Sequence, residues 1–333
     1  MTAVTVIGAG VAGLTVARCL ADRGAEVLVI DRGDGLGPHA CSWWAGGMLA
    51  PFCEGESAEE PVIRLGQEAA DWWAAKTHAV HRKGTLVVSA ARDQADLARF
   101  ARRTSDFTVV SGPAIAALEP DLAGRFARGL FFAGEAHLAP RAALADLRAG
   151  LQRDGVEFTQ AEADPAAHAA KGLTVDCRGY AARDVLPDLR PVKGEMLVLS
   201  CPDLALSRPI RLLHPRIPLY IVPRGDGVFM LGATMVESAA RRHVTARALL
   251  ELLSAAYALN PAFGEAEVLE IGVDSRPAFP DNLPRIRRTG NLIRVNGLYR
   301  HGFLLSPAVA RMVAELIFDA TTPEVMDAVT TER

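Results

Sequence analysis

Three glycines near the N-terminus, Gly8, Gly10 and Gly13, stand in the spacing GxGxxG. They fall between an apolar, β-branched run at residues 3–7 and a stretch with helical spacing at 14–23. In that context the spacing has a chemistry, the binding of a dinucleotide. The first glycine permits a tight turn, the second lets backbone approach a pyrophosphate, and the third lets helix and strand pack closely. The unpaired N–H groups and the positive end of the helix then face the phosphates. A second apolar strand covers residues 25–30. Asp31 at its end, 18 residues beyond Gly13, is placed to accept from a ribose hydroxyl. A carboxylate there repels a 2′-phosphate, which disfavours NADP as the tightly held nucleotide. FAD and NAD share the fingerprint, so it does not separate them.

Other chemistries fit badly. The five cysteines, Cys19, Cys41, Cys53, Cys177 and Cys201, are odd in number and no two stand at CxxC spacing. A zinc cluster, a dithiol redox centre and a secreted disulfide framework are therefore disfavoured, and no metal site is expected. Lys and Arg number 36 against 39 Asp and Glu, a net charge of −3, and aromatics make up 6% of the chain. Neither balance suits a polyanion or a base-stacking platform, so no nucleic-acid partner is expected. No run reaches the roughly 18 apolar residues of a bilayer span, and the N-terminus has no basic region followed by a cleavage site. The expectation is a soluble, cytoplasmic protein with no membrane partner.

With 333 residues, half of them hydrophobic, the chain can bury a large core, and two lobes are natural at this size. Residues 61–76 read as one helix with Val62, Leu65, Ala69 and Trp72 on one face. A strand at 84–89 and a helix at 93–103 follow. A helix at 141–153 is closed by Gly155. Strands are read at 173–176, 195–200, 218–223 and 228–233, then a helix at 245–259 and strands at 268–274 and 291–295. A last helix is read at 307–319, with Ser306 as N-cap and Pro307 as first residue. The αβ start and end enclose a strand-rich middle, which predicts an α/β fold (α+β overall). A Rossmann-like nucleotide-binding domain would be interleaved with a mainly antiparallel β-sheet substrate domain.

A nicotinamide dehydrogenase of this type should continue in regular βα units. Here the second strand leads instead into SWWAGGMLAP at 42–51. Small residues there let backbone run along a flat ring system; the other reading is a Gly-Ala-rich start to a buried helix. The segment, taken on to Glu54 as SWWAGGMLAPFCE, joins VTVIGAGVAGLTVA, VDCRG at 175–179, PVKGEMLVL, LYIVPR followed by LGATM, DSRPAFPDNLP and YRHGFLLSP. In that order and spacing, the sequence resembles the family of FAD-dependent D-amino-acid oxidases and glycine oxidases over nearly its whole length. It is most similar to the glycine oxidases of thiamine biosynthesis.

The resemblance implies roles for particular residues. Gly8, Gly10, Gly13 and Asp31 would hold the ADP side of FAD, and Arg32, Cys177 and Gly179 would also bind the cofactor. Ser42, Ala45, Gly46, Gly47 and Met48 would lie against the isoalloxazine, and Arg300, His301, Gly302, Phe303 and Leu304 would meet its pyrimidine edge. Arg276 would clamp the substrate carboxylate, Tyr220 would assist it, Met235 would line the glycine pocket and Arg300 would stand near the substrate. Physical chemistry agrees on the type of residue, because a guanidinium matches a carboxylate as a fork. Arg276 precedes Pro277, which holds its backbone extended. Arg276 and Arg300 each follow a predicted strand, where an α/β sheet places ligands. The helix from Pro307 would aim its positive end at the flavin N1–C2=O region. His301 is read as a loop residue, and Trp43 and Trp44 either shield the flavin or fill core.

The family also implies domain limits: FAD-binding domain at 1–80, 136–190 and 270–333, substrate-binding domain at 81–135 and 191–269. The chain is shorter than the family pattern, and the tyrosine-bearing lid of the animal D-amino-acid oxidases is not recognisable. With no cysteine beyond Cys201, late-cysteine covalent attachment is excluded and FAD should be non-covalent. The implied reaction is hydride transfer from the Cα of glycine to flavin N5. Oxygen takes the electrons to give hydrogen peroxide, and the imine hydrolyses to glyoxylate and ammonia or feeds thiamine thiazole synthesis. No protein base is required, since positioning and charge complementarity supply the rate. A homo-oligomer is implied as well. The rival readings are an amine oxidase for sarcosine or a small D-amino acid such as D-proline, a flavin dehydrogenase with another acceptor, and a non-catalytic nucleotide-binding regulator.

Overall fold

A computed structural model describes residues 2–214, 219–240 and 243–327. Pro218, read as the start of a strand, lies outside the described residues, as do Met1 and residues 328–333 at the ends of the expected FAD-binding domain.

The βαβ start forms as strand Ala3–Ile7, helix Val11–Asp22 and strand Glu26–Asp31, the two strands paired in parallel. They belong to a six-stranded sheet. Its order runs Arg285–Thr289, Leu292–Asn296, Leu173–Asp176, Ala3–Ile7, Glu26–Asp31, Glu157–Gln160. Only its Arg285–Thr289 edge is antiparallel, as expected for a sheet built from crossover units. Val4, Val6, Val27 and Val29 point into one core with Leu14 and Leu20 of the first helix, Leu147 and Leu151 of helix Pro140–Arg153, and Val309 and Val313 of helix Gly302–Phe318.

The second sheet has nine strands and is antiparallel except where Ile210–Leu213 runs parallel to Thr85–Ser89. Strand period decides its two faces. Along Arg190–Ser200, Leu197 and Leu199 join the core under helix Ala246–Leu259, whereas Gly194 and Met196 line a cavity. Along Leu219–Gly225, Leu219 and Ile221 face that core and Tyr220 faces the cavity. The fold is thus the expected one, a parallel sheet and a mainly antiparallel sheet meeting across a cavity. Met48–Leu49, Ala136–Leu138 and Val80–His81 form a small third sheet that no pattern announced, because two or three residues are too few to show a period.

Three expectations need correction. Residues 61–76 are two helices, Glu60–Gly66 and Ala69–Ala74. The break follows Gly66, where a Cβ would meet the Leu304 side chain at 2.8 Å, so close helix approach outranks continuity. Secondly, the strand read at 268–274 runs from Glu267 to Ala278, so Arg276 lies within a strand of the antiparallel sheet, opposite Val192, and not beyond a strand end. Thirdly, the last helix spans Gly302–Phe318 with Pro307 inside it, so Ser306 is not its cap. A proline there has no N–H for the carbonyl four residues back, that of Phe303. The indole Nε1 of buried Trp73 donates to the Phe303 carbonyl at 2.8 Å and fills the vacancy.

Candidate active site

A cavity of about 530 Å³ runs from the fingerprint turn to the inner face of the nine-stranded sheet. That is within the usual size of a cofactor or ligand site. Gly8, Gly10, Asp31, Arg32, Ser42, Ala45, Gly46, Gly47, Met48, Cys177 and Gly179 line it, with Tyr220, Met235, Arg276, Arg300, His301, Gly302, Phe303 and Leu304. Gly13 is absent from this lining. A Cβ on it would stand 1.7 Å from the Gly8 carbonyl oxygen, so this glycine allows the turn and helix to touch.

The nucleotide end follows from local backbone. Gly8 has φ +104, a conformation that favours glycine, and a Cβ there would lie 2.6 Å from the Cys177 oxygen. Gly10 caps helix Val11–Asp22, whose first turn carries no acidic residue, so its positive end is free of a carboxylate of its own. Asp31 accepts from the amides of Ala9 at 2.6 Å and Gly33 at 2.7 Å, with His39 Nε2 3.2 Å away. Oδ2, which accepts from the Ala9 amide, keeps a lone pair, since each carboxylate oxygen offers about two acceptor sites.

Between the two ends lies the small-residue segment. Ser42 Oγ accepts from the Val11 amide at 3.3 Å, tying the segment to the fingerprint helix. Gly47 has φ +74, and a Cβ there would lie 2.2 Å from the Leu138 oxygen. Arg224, in the strand below, donates to the carbonyls of Gly46 at 2.7 Å, Leu138 at 3.2 Å and Ala45 at 3.4 Å. No carboxylate pairs with it among the described residues, and burial pulls its guanidinium down to about 10. Its motif was visible in the sequence; its task was not, because the contacts cross 178 and 179 positions. Trp44 lines the cavity and Trp43 does not; Arg141 stacks 4.3 Å from the Trp43 ring centre and 5.5 Å from that of Trp44.

At the far end, glycines clear space for two side chains. A Cβ on Gly194 would sit 2.2 Å from Arg276 Nη2, one on Gly232 would sit 2.5 Å from the Tyr220 hydroxyl, and one on Gly46 would sit 2.7 Å from Tyr220 Cε2. Arg276 Nη1 donates to the Thr234 carbonyl at 3.2 Å. Thr234 is fixed in turn through its hydroxyl, which donates to Glu195 at 2.8 Å, and Glu195 pairs with buried Lys193 at 2.7 Å. Burial raises the Tyr220 phenol above its ordinary value, against the opposing pull of Arg276, so Tyr220 is a neutral donor. Met235 is 51% exposed at the rim, its Sδ 3.5 Å from the Tyr299 hydroxyl and 3.7 Å from Arg300 Nη1.

Arg300 is placed differently from Arg276. Its Nη2 donates to Ser57 Oγ at 2.6 Å and pairs with Glu54 Oε2 at 2.8 Å. His301 is, as read, the last loop residue before helix Gly302–Phe318, at its N-cap position, and it is buried. Its Nε2 lies 3.0 Å from Glu54 Oε2 and 3.1 Å from Arg300 Nε, and serves one at a time, as donor to the first or acceptor from the second. Burial would raise the Glu54 carboxyl, but Arg300, the His301 contact and Arg211 together hold it well below the carboxylate range. Glu54 closes the segment SWWAGGMLAPFCE, but nothing in the sequence gave it a task, and Arg211 is one charged residue among many.

The residues fit FAD. The fingerprint turn would cradle the pyrophosphate. His301 Nδ1 is buried without a hydrogen-bond partner beside the start of the last helix, whose first turn has no acidic residue. That start, at Gly302, suits the pyrimidine edge better than the expected start at Pro307.

A dinucleotide turn opening into a cavity with a guanidinium and a phenol at its far end fits a class: a dinucleotide-dependent oxidoreductase. Comparison with known proteins narrows it. The family described as FAD dependent oxidoreductase matches residues 3–316. A protein of Rhizobium etli, named as a thiamine biosynthesis oxidoreductase, ThiO, is 55% identical over 328 residues, covering 96% of this chain and 98% of that one. A glycine oxidase of Pseudomonas aeruginosa is 26% identical over 350 residues, 94% of each chain. The crystal structure of glycine oxidase from Geobacillus kaustophilus has the same fold, with a TM-score of 0.79 at 22% identity over 98% of this chain and 97% of that chain. The chain belongs to the FAD dependent oxidoreductase family, and FAD is its cofactor. No helix among the described residues is long and apolar enough to cross a membrane.

Proposed function

We propose that the protein oxidises glycine to its imine, as part of thiamine thiazole synthesis, with FAD held non-covalently. The observation that carries this reading is Arg276: at the far end of the cavity it meets no carboxylate among the described residues, and it stands over glycine-cleared space beside Tyr220. In this reading the six-stranded part of the chain holds FAD and the nine-stranded part holds the substrate.

The substrate carboxylate takes the Arg276 fork, and the Tyr220 hydroxyl donates to it. That contact fixes the Cα–H direction, which converts a loose encounter into an oriented one. FAD, when bound, would supply the acceptor for the hydride, with oxygen as the final electron acceptor and hydrogen peroxide as its product. The amine reacts in its neutral form, because Glu54 is bound by cations and His301 is turned toward it, leaving neither as a base. The imine leaves for thiazole formation or is hydrolysed to glyoxylate and ammonia.

The test is anaerobic mixing of the yellow protein with glycine, sarcosine, D-alanine and D-proline, following bleaching near the ~450 nm flavin band. Glycine should bleach fastest. Arg276→Ala, with FAD retained, should lose roughly 100- to 1,000-fold in bleaching rate over binding constant, the worth of one buried charge-paired contact. Bleaching only by larger amines removes glycine from the reading. Bleaching by glycine at an unchanged rate in Arg276→Ala removes the carboxylate clamp.

A further inference from the structure

Three guanidiniums on the cavity wall, those of Arg276, Arg300 and Arg211, are not equivalent. Arg276 gives one hydrogen bond to the Thr234 carbonyl and has no carboxylate partner among the described residues. Arg300 has both terminal nitrogens engaged, Nη1 against the Met235 sulfur and Nη2 with Ser57 and Glu54. Arg211 Nη1 reaches Glu54 Oε1 at 3.4 Å and the Cys53 carbonyl at 3.3 Å. One carboxylate, that of Glu54, therefore answers two cations. Its side chain is 15% exposed, and its short helix Pro51–Glu54 is tied down where the Cys53 amide donates to Glu135 Oε1 at 2.7 Å. Glu54 is thus a fixed part of the wall and not a surface acid free to swing away.

We infer that Glu54 is a specificity-determining residue: it occupies Arg300 with a carboxylate of the protein's own, so the cavity takes amines bearing one carboxylate and rejects those bearing two. The inference rests on the amino-acid reading above. An amino dicarboxylate anchored on Arg276 and reaching with its second anion for Arg300, which lines the same cavity, would find Glu54 there. It meets like-charge repulsion instead of a fork, and discrimination by a repulsive group is an effective route to specificity. Replacing Glu54 with glutamine keeps the shape, removes the repulsion and leaves Arg300 uncompensated, so affinity for a second carboxylate should rise.

Binding can be read apart from turnover. The FAD-loaded protein is titrated with acetate and with malonate by calorimetry, and anaerobic bleaching by glycine is compared with that by iminodiacetate. The wild type should bind malonate at least tenfold more weakly than acetate. In Glu54→Gln the malonate affinity should rise on the order of tenfold, while acetate changes by less than about threefold, and iminodiacetate should gain on glycine by a similar factor. Glu54→Asp, which keeps the charge, should keep the preference for one carboxylate. A wild type that binds malonate as well as acetate, or neither anion, overturns the inference. So does a Glu54→Gln protein whose malonate-to-acetate ratio is unchanged, which would assign the discrimination to size. If Glu54→Gln does not retain FAD, the wild-type ratio and Glu54→Asp decide. If no amine bleaches the flavin while the anion ratio shifts as stated, the glycine reading fails and the role of Glu54 stands.

Discussion

Glu135 should make the protein less stable as pH rises, and the structure sets the size of the effect. Glu135 is 1% exposed, and burial pushes its carboxyl up to about 7 from an ordinary 4.5, against the pull of the Cys53 amide. Oε1 accepts the Cys53 amide, while Oε2 and the Thr85 hydroxyl oxygen are buried with no hydrogen-bond partner. Oε2 thus has no donor to hold it ionised, which is the physical case for a neutral carboxyl. The sign follows from proton counting. Between about 4.5 and 7 the folded chain keeps a proton that the unfolded chain has lost, so this group's contribution is full below 4.5 and falls away as pH rises through 7. A difference of 2.5 units, 7 minus 4.5, corresponds to about 3 kcal/mol at 1.36 kcal/mol per unit. Glu135→Gln removes the titration while its amide oxygen still accepts from Cys53. Urea unfolding at fixed FAD should find the variant more stable than wild type by about 3 kcal/mol at high pH and nearly equal near pH 4.5, a midpoint difference of roughly 1 M. A variant less stable than wild type at high pH, or a difference that ignores pH, refutes the reasoning.

Two other substitutions probe how the site is held. Trp73→Phe leaves the Phe303 carbonyl without the donor that replaces the missing Pro307 amide. It should cost about 1–3 kcal/mol in thermal unfolding, and adding Pro307→Ala should recover part of that by restoring the amide; a second substitution that only adds to the loss counts against this account. Arg224→Met releases the carbonyls of Ala45, Gly46 and Leu138. FAD affinity, measured by quenching on addition to the apoprotein, should fall on the order of tenfold, about 1.4 kcal/mol, and unchanged affinity would mean the segment is held by other contacts.

What was legible in the sequence was local. The fingerprint needed only a strand, three glycines and a helix within two dozen residues, and Asp31 followed from spacing. Arg276 and Tyr220 came from resemblance, since a lone arginine or tyrosine in a strand has no period of its own. Glu54 was out of reach: its meaning depends on His301, 247 positions away, and on Arg211, 157 away. The last helix was misread for a related reason. Pro307 looked like a first helical residue because a proline lacks an amide, yet an indole from another helix supplied the missing donor. Local rules state what the backbone needs, and only tertiary contact shows which group meets the need.

The far end of the cavity owes its shape to residues without side chains. Gly46, Gly194 and Gly232 come from three separate places, the segment before Pro51, strand Arg190–Ser200 and strand Val228–Gly232. At each, a Cβ would fall within 2.7 Å of Arg276 or Tyr220 atoms. Such a contact is resolved only by moving the ring or the guanidinium, and both are held in strands whose registers are fixed by pairing: Tyr220 opposite Gly232 and Arg276 opposite Val192. Displacement of a binding group by about an ångström is costly to an oriented reaction and cheap to overall stability. Alanine at these glycines should therefore weaken substrate capture more than folding. The chemistry at this end depends on a fork and a phenol, and the sequence secures their positions partly by what it leaves out.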